Sequence, residues 1–190
     1  RRLLGEGALG TAVVPIMTYT FEREGKDSAR KKLSVITAVL GVILALLCII
    51  VSVAAIAAIP FLQSAAPRVL LTLKLVPVLM PYSLFICTIG VYGSVMNSMR
   101  RYFLPAAASI TLNFVMILCL VFVCPVFQSE PLHMLYALSV SVLISGILQI
   151  AMMLWMLERE GMMPSIIVKD IFKEPVVKEL YKLTLPGIIG

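Results

Sequence analysis

Apolar positions along the 190-residue chain come in long blocks, not in alternation. No Asp, Glu, Lys or Arg occurs in residues 33–67, 75–99, 102–129 or 131–157. Each block exceeds the roughly 20 residues a helix needs to cross about 30 Å of hydrocarbon. A fifth, shorter block covers residues 7–21 and follows Arg1, Arg2 and Glu6; it reads as the second half of a helix. Soluble core helices keep a polar face, whereas residues 42–51 are apolar all round. The alternating segments of roughly ten residues that a β-barrel needs are absent from the sequence. The pattern predicts spans at residues 7–20, 35–62, 70–99, 105–126 and 132–157, with another beginning at 183. This is an all-α, polytopic transmembrane helix bundle. Short links make consecutive spans antiparallel neighbours, and Pro105 suits the first turn of its helix, where a missing N–H costs little. Pro77 and Pro81, four apart in one span, predict a kink or a broken helix.

Composition agrees: 61% of residues are hydrophobic and 14% charged, against about 45–50% and about 25% in soluble domains. The net charge of +6 is a topology signal. Five cations (Arg23, Lys26, Arg30, Lys31, Lys32) lie between the first and second spans, and Arg100 and Arg101 between the third and fourth. Five more (Arg159, Lys169, Lys173, Lys178, Lys182) follow the fifth, while the opposite side carries only Arg68, with Lys74 at a span entrance. The positive-inside rule then puts the basic connections in the cytoplasm, and no nucleic-acid partner is needed to explain the charge. Residues 166–183 mix apolar positions with four lysines and are split by Pro175, which predicts two short amphipathic pieces at the headgroup surface. The chain opens without Met and stops as a new apolar stretch begins, so a fragment is expected.

Polar residues inside the blocks carry the candidate chemistry. Residues 7–21 cover only about 22 Å at 1.5 Å per residue, which leaves Arg1 and Arg2 near or above mid-bilayer. Charges there cost several kcal/mol unless they face a watery cavity or a partner. Two readings stand: an internal cationic site for an anionic substrate, or arginines that snorkel to the outer interface. Glu6, at i+4 from Arg2, can pair with it. Asn97, Asn113, Ser141, Ser145 and Gln149 read as helix-packing and interhelical hydrogen-bonding residues, and Pro81 as a structural bend. The four cysteines (Cys48, Cys87, Cys119, Cys124) form no CxxC pair and read as small core residues; His133 falls in an external loop. No GxSxG, HExxH, P-loop or GxGxxG pattern occurs, and the acids offer no metal site. The sequence reads as a transporter with no cofactor and no metal, and not as an enzyme.

The opening Arg1-Arg2-Leu3-Leu4-Gly5-Glu6-Gly7-Ala8, leading to Val13-Val14-Pro15, resembles the MurJ (MviN) family signature RRxFxEGAF…AFVP. In order along the chain, Met80-Pro81-Tyr82 resembles the family's FPY, and Asn97-Ser98-Met99-Arg100-Arg101-Tyr102-Phe103-Leu104-Pro105 its LNxxxRFxxP. Asn113 matches an Asn of the fifth helix, Ser145-Gly146-Ile147-Leu148-Gln149 resembles GGxLQ, and Leu185-Pro186-Gly187 the start of the seventh helix. The phenylalanines of the first motif are Leu4, Leu9 and Val13 here.

The resemblance implies a lipid II flippase of the multidrug/oligosaccharidyl-lipid/polysaccharide exporter superfamily in a bacterial inner membrane. Its substrate would be the undecaprenyl-diphosphate-linked peptidoglycan precursor, moved by alternating access and coupled to an ion or the membrane potential. Residues 1–165 would be part of the N-terminal lobe of a two-lobe exporter, from half of helix 2 through helix 6. Residues 166–182 would be the cytoplasmic inter-lobe linker, and residues 183–190 the start of helix 7. Arg1 and Arg2 match the arginine pair near the family's cavity, and Glu6 its EG glutamate, as the substrate-binding residues. Other readings in view are a different polyprenyl-linked glycan or multidrug exporter, and a non-transporting scaffold for cell-wall synthesis enzymes.

Overall fold

The structure, a computed structural model, describes residues 8–62, 66–127 and 131–165. The expected positions of Arg1, Arg2 and Glu6, of the linker at 166–182 and of the seventh helix at 183–190 lie outside them. Five helices follow in order: α1 (Ala8–Arg23), α2 (Lys26–Ala58), α3 (Pro67–Ser98), α4 (Phe103–Leu118) and α5 (Pro131–Arg159). No strand occurs among the described residues. Four helical stretches are long and apolar enough to cross a membrane: Lys26–Ala58, Pro67–Ser98, Pro105–Phe127 and Leu132–Arg159. They coincide with the four long uncharged blocks, because a chain without water must satisfy its backbone internally and the helix does so within one segment. The chain is a multi-pass membrane protein.

The turns are set by backbone conformations that few residues adopt. Gly25, between α1 and α2, has φ +84°, which an L side chain resists. At the end of α5 the Gly161 N–H donates to the Glu158 carbonyl (2.8 Å) and the Met162 N–H to the Leu157 carbonyl (2.7 Å), with Gly161 at φ +65°. This is the Schellman pattern, which satisfies carbonyls that the helix end would leave open. The end of α3 repeats it: the Arg100 N–H donates to the Asn97 carbonyl (3.0 Å) and the Arg101 N–H to the Met96 carbonyl (2.8 Å). There Arg100, not a glycine, takes φ +61°. Pro77 and Pro81 do not break α3, which runs unbroken through both. At the other end of α4 the helix widens into a π turn at Cys119–Val123 and closes as a 3₁₀ turn at Cys124–Phe127. The wider turn keeps Cys119 and Cys124 both buried although they are five apart.

α3 is the axis of the bundle and packs against every other helix. Its contacts with α5 and α1, which are not its neighbours in sequence, are more extensive than those with α4, which follows it through the short link Met99–Tyr102. The main buried cluster joins Val13, Ile16 and Met17 of α1, Leu33 and Ile36 of α2, Val91, Val95 and Met96 of α3, and Met153 and Leu157 of α5. All of it lies in the half of the bundle that carries the basic connections. That end is also tied by polar contacts. Lys32 Nζ lies 2.8 Å from Glu24 Oε1 and donates to Thr20 Oγ1 (3.1 Å), and Arg101 Nε lies 3.2 Å from Glu160 Oε1. Arg30 Nε donates to the Met163 carbonyl (2.7 Å) and the Ser165 N–H to Ser34 Oγ (2.9 Å), which fixes the chain leaving α5 against α2. The Arg159 guanidinium lies 3.8 Å from the Trp155 ring centroid, an arrangement suited to the membrane interface.

Candidate functional site

Where α3 and α4 leave their shared turn they touch closely. A Cβ on Gly93 would lie 3.4 Å from Pro105 Cβ, in van der Waals contact with the proline ring. Beyond this contact a cavity of about 800 Å³ opens between the two helices, closed by Val14 and Pro15 of α1 and by Gln149 of α5. On α3 the lining positions are Tyr82, Ile86, Ile89, Gly90, Gly93, Ser94 and Asn97, a stripe that repeats every three or four residues and therefore occupies one face. On α4 the same spacing brings Pro105, Ala108, Ser109, Leu112 and Asn113 to the wall. From Asn97 to Tyr82 the cavity follows α3 for about 22 Å at 1.5 Å per residue. Gly90 opens directly onto it, since a Cβ there would meet no atom within 4 Å.

The polar groups of this wall are neutral. Asn97, Asn113 and Gln149 come from three helices, and none of their side-chain amides hydrogen-bonds to another described residue. Gln149 is only 4% exposed. Ser94, also buried, turns its hydroxyl back to the Gly90 carbonyl at 2.8 Å. Pro15, inside α1, supplies no N–H to the Thr11 carbonyl, so one backbone bond is missing at the level of the cavity. Close packing of α5 on α3 shapes the far end. A Cβ on Gly146 would come within 2.6 Å of Phe85 Cδ2 and 3.1 Å of Tyr82 Cδ2, so only glycine lets these rings lie where they do.

The sequence expectations are redistributed by this geometry. Asn97, Asn113 and Gln149, read as helix-packing residues, stand on the cavity wall; Pro81 is exposed and outside it. Ser141 and Ser145 are buried between helices as expected, yet their hydroxyls donate to Leu138 and Val142 carbonyls of their own helix, both at 2.7 Å. A buried hydroxyl reaches the carbonyl three or four residues back more easily than a partner helix, and that local bond competes successfully. Cross-helix bonds come instead from Cys48 Sγ, which donates to the Met80 carbonyl (3.1 Å), and from Cys119 Sγ, which donates to the Ala137 carbonyl (3.6 Å). Ser94, Ser109 and Gly90 were not singled out by the sequence, although their helical spacing with Asn97 and Asn113 carried the signal. Among the described residues no group of three or more His, Cys, Asp or Glu side chains could hold a metal ion.

Residues from motifs scattered over more than 130 positions thus line one cavity: Val14 and Pro15, Tyr82, Asn97 and Pro105, Asn113, and Gln149. Comparison with known proteins agrees with the resemblance those motifs carry. The family described as "Lipid II flippase MurJ" matches residues 1–190. A Rhizobium tropici protein named "Probable lipid II flippase MurJ" is 32% identical over 194 residues, covering 100% of this chain and 36% of that protein. "Lipid II flippase MurJ" of Burkholderia cenocepacia is 29% identical over 194 residues, covering 98% of this chain and 37% of its own length. A Vibrio cholerae relative with the name "Probable lipid II flippase MurJ" is 25% identical over 201 residues. The chain spans little more than a third of the length of these curated relatives. With the match running from its first residue to its last, the chain belongs to the MurJ lipid II flippase family.

Proposed function

We propose that the full-length protein is a flippase that carries lipid II, the undecaprenyl-diphosphate-linked peptidoglycan precursor, from the cytoplasmic to the outer leaflet of a bacterial inner membrane. The observation that supports this best is the cavity within the bundle, into which five separate family-like motifs each send a residue. A flippase needs a chamber within the bundle, with some polar groups on its wall, that can hold a headgroup out of contact with lipid tails. In this reading the basic end of the bundle faces the cytoplasm. Arg1 and Arg2 hold the diphosphate, because a guanidinium offers a planar fork of donors that matches phosphate oxygens. Glu6 orients one of them as an i+4 partner. The protein acts by binding and alternating access, with no bond made or broken in the substrate and an ion or the membrane potential to set the direction.

The test is complementation in flippase-depleted cells with the full-length protein. Arg1→Ala and Arg2→Ala should each abolish lipid II translocation while the protein remains in the membrane at normal level. Translocation at the wild-type rate in the double variant would sink the cationic site. Reporters fused after Ser28 and after Val126 should read cytoplasmic and periplasmic respectively, and the reverse pair would overturn the orientation.

A further inference from the structure

We infer that the neutral wall formed by Asn97, Asn113 and Gln149 is a subsite for the sugar portion of the lipid headgroup, separate in chemistry from the cations that take the diphosphate. The inference rests on the flippase reading above and adds a division of labour within it. A carboxamide offers two donors and an acceptor at once. Three of them, from α3, α4 and α5, line one cavity with no side-chain hydrogen bond to another described residue. Gln149 keeps only 4% of its surface exposed and borders the cavity. Polar groups at membrane depth have to find partners, and here the partners must enter from outside the described helices.

The chemistry of what enters follows from the wall. No Asp, Glu, Lys, Arg or His lines it among the described residues, so it has nothing to neutralise a phosphate. Mixed donors and acceptors suit a group that is itself mixed: the hydroxyls and acetamido groups of amino sugars. The Tyr82 ring at the far end adds an aromatic face of the kind that sugar C–H groups pack on. At about 800 Å³ the cavity falls within the roughly 300–1,000 Å³ of small-molecule sites, large enough for a short glycan. The small residues Gly90, Gly93 and Ala108 keep that width open.

Two probes separate this subsite from the diphosphate site: undecaprenyl diphosphate alone, and the same lipid bearing an N-acetylated amino sugar. Binding of each is measured to the reconstituted full-length protein. Wild-type protein should prefer the sugar-bearing probe, and Asn113→Leu or Gln149→Leu should narrow that preference tenfold or more. Arg1→Ala should weaken both probes together. An unchanged preference, or an equal fall for both probes in the Leu variants, overturns the subsite. Wild-type protein that binds both probes equally overturns the subsite alone, whereas failure to bind either sinks the flippase reading with it. A second measurement does not depend on how the Leu variants fold. In a full-length protein with every native cysteine replaced by Ala, Gln149→Cys should react with a small water-soluble maleimide and be protected by the sugar-bearing probe only. No labelling at all would mean that another helix of the full-length protein fills the cavity, and the subsite would be wrong.

Discussion

Two faces of one helix do opposite work. On α3, Val91, Tyr92, Val95 and Met96 are buried in the core against α1, α2 and α5, while Gly90, Gly93, Ser94 and Asn97 interleave with them and face the cavity. The two sets occupy the same eight residues of chain. The core face is made of side chains that fill space, and the cavity face of residues that withhold it. Exclusion of water cannot drive helices together within a bilayer, so the tight face is held by dispersion and shape. The open face can then stay open without collapse of the bundle, because α3 is already fixed by three other helices.

The sharpest way to break this comparison is to truncate one residue on each face. Met96→Ala should cost about 2–5 kcal/mol of stability in detergent-solubilised full-length protein. Its neighbour Asn97→Ala should change stability by less than about 0.5 kcal/mol. Equal losses on thermal or denaturant unfolding would mean that Asn97 is packed and the cavity is not open. Glycines give the next contrast. Gly146→Ala forces a Cβ into the Phe85 and Tyr82 rings and should destabilise by about 1–3 kcal/mol. Gly90→Ala meets open space and should be neutral or stabilising by up to about 1 kcal/mol, as a helix-interior Gly→Ala change usually is.

A smaller effect concerns the turns that end α5 and α3. Gly161→Ala at φ +65° should cost about 1 kcal/mol, and Arg100→Gly at φ +61° should shift the melting temperature upward by the smaller part of the same penalty. Smallest of all, Glu160→Gln removes the partner of Arg101 at a half-exposed surface. It should lower stability by about 0.5 kcal/mol or less, with the difference vanishing in high salt.

The spans were legible in the sequence because charge is so costly in hydrocarbon that its absence over 25 or more residues has one structural meaning. The basic-end turns were legible for the same reason, read in reverse. The division of α3 was not. Ile86 and Ile89 on the cavity wall look no different in a sequence from Val91 and Val95 in the core, since both faces are apolar and only the neighbouring helix distinguishes them. The carboxamides were visible as unusual residues, but spacing alone left open whether Asn97, Asn113 and Gln149 bond across helices or stand on a free surface. That depends on α3 lying against α5 and α1 more than against α4, a packing choice between elements distant in the chain. Ser141 and Ser145 mark the same limit: their burial followed from the pattern, and the direction of their hydroxyls did not.

The bonds from Arg30 to the Met163 carbonyl and from Ser165 to Ser34 have a mechanical consequence. They clamp the chain as it leaves α5 onto the side of α2, the helix farthest from it in the order of the described bundle after α1. Any pull from downstream sequence is therefore shared between α5, through the backbone, and α2, through these bonds. Because α2 packs on α3, whose opposite face lines the cavity, a load taken up at this clamp reaches the cavity wall through the core and not through the α5 end alone.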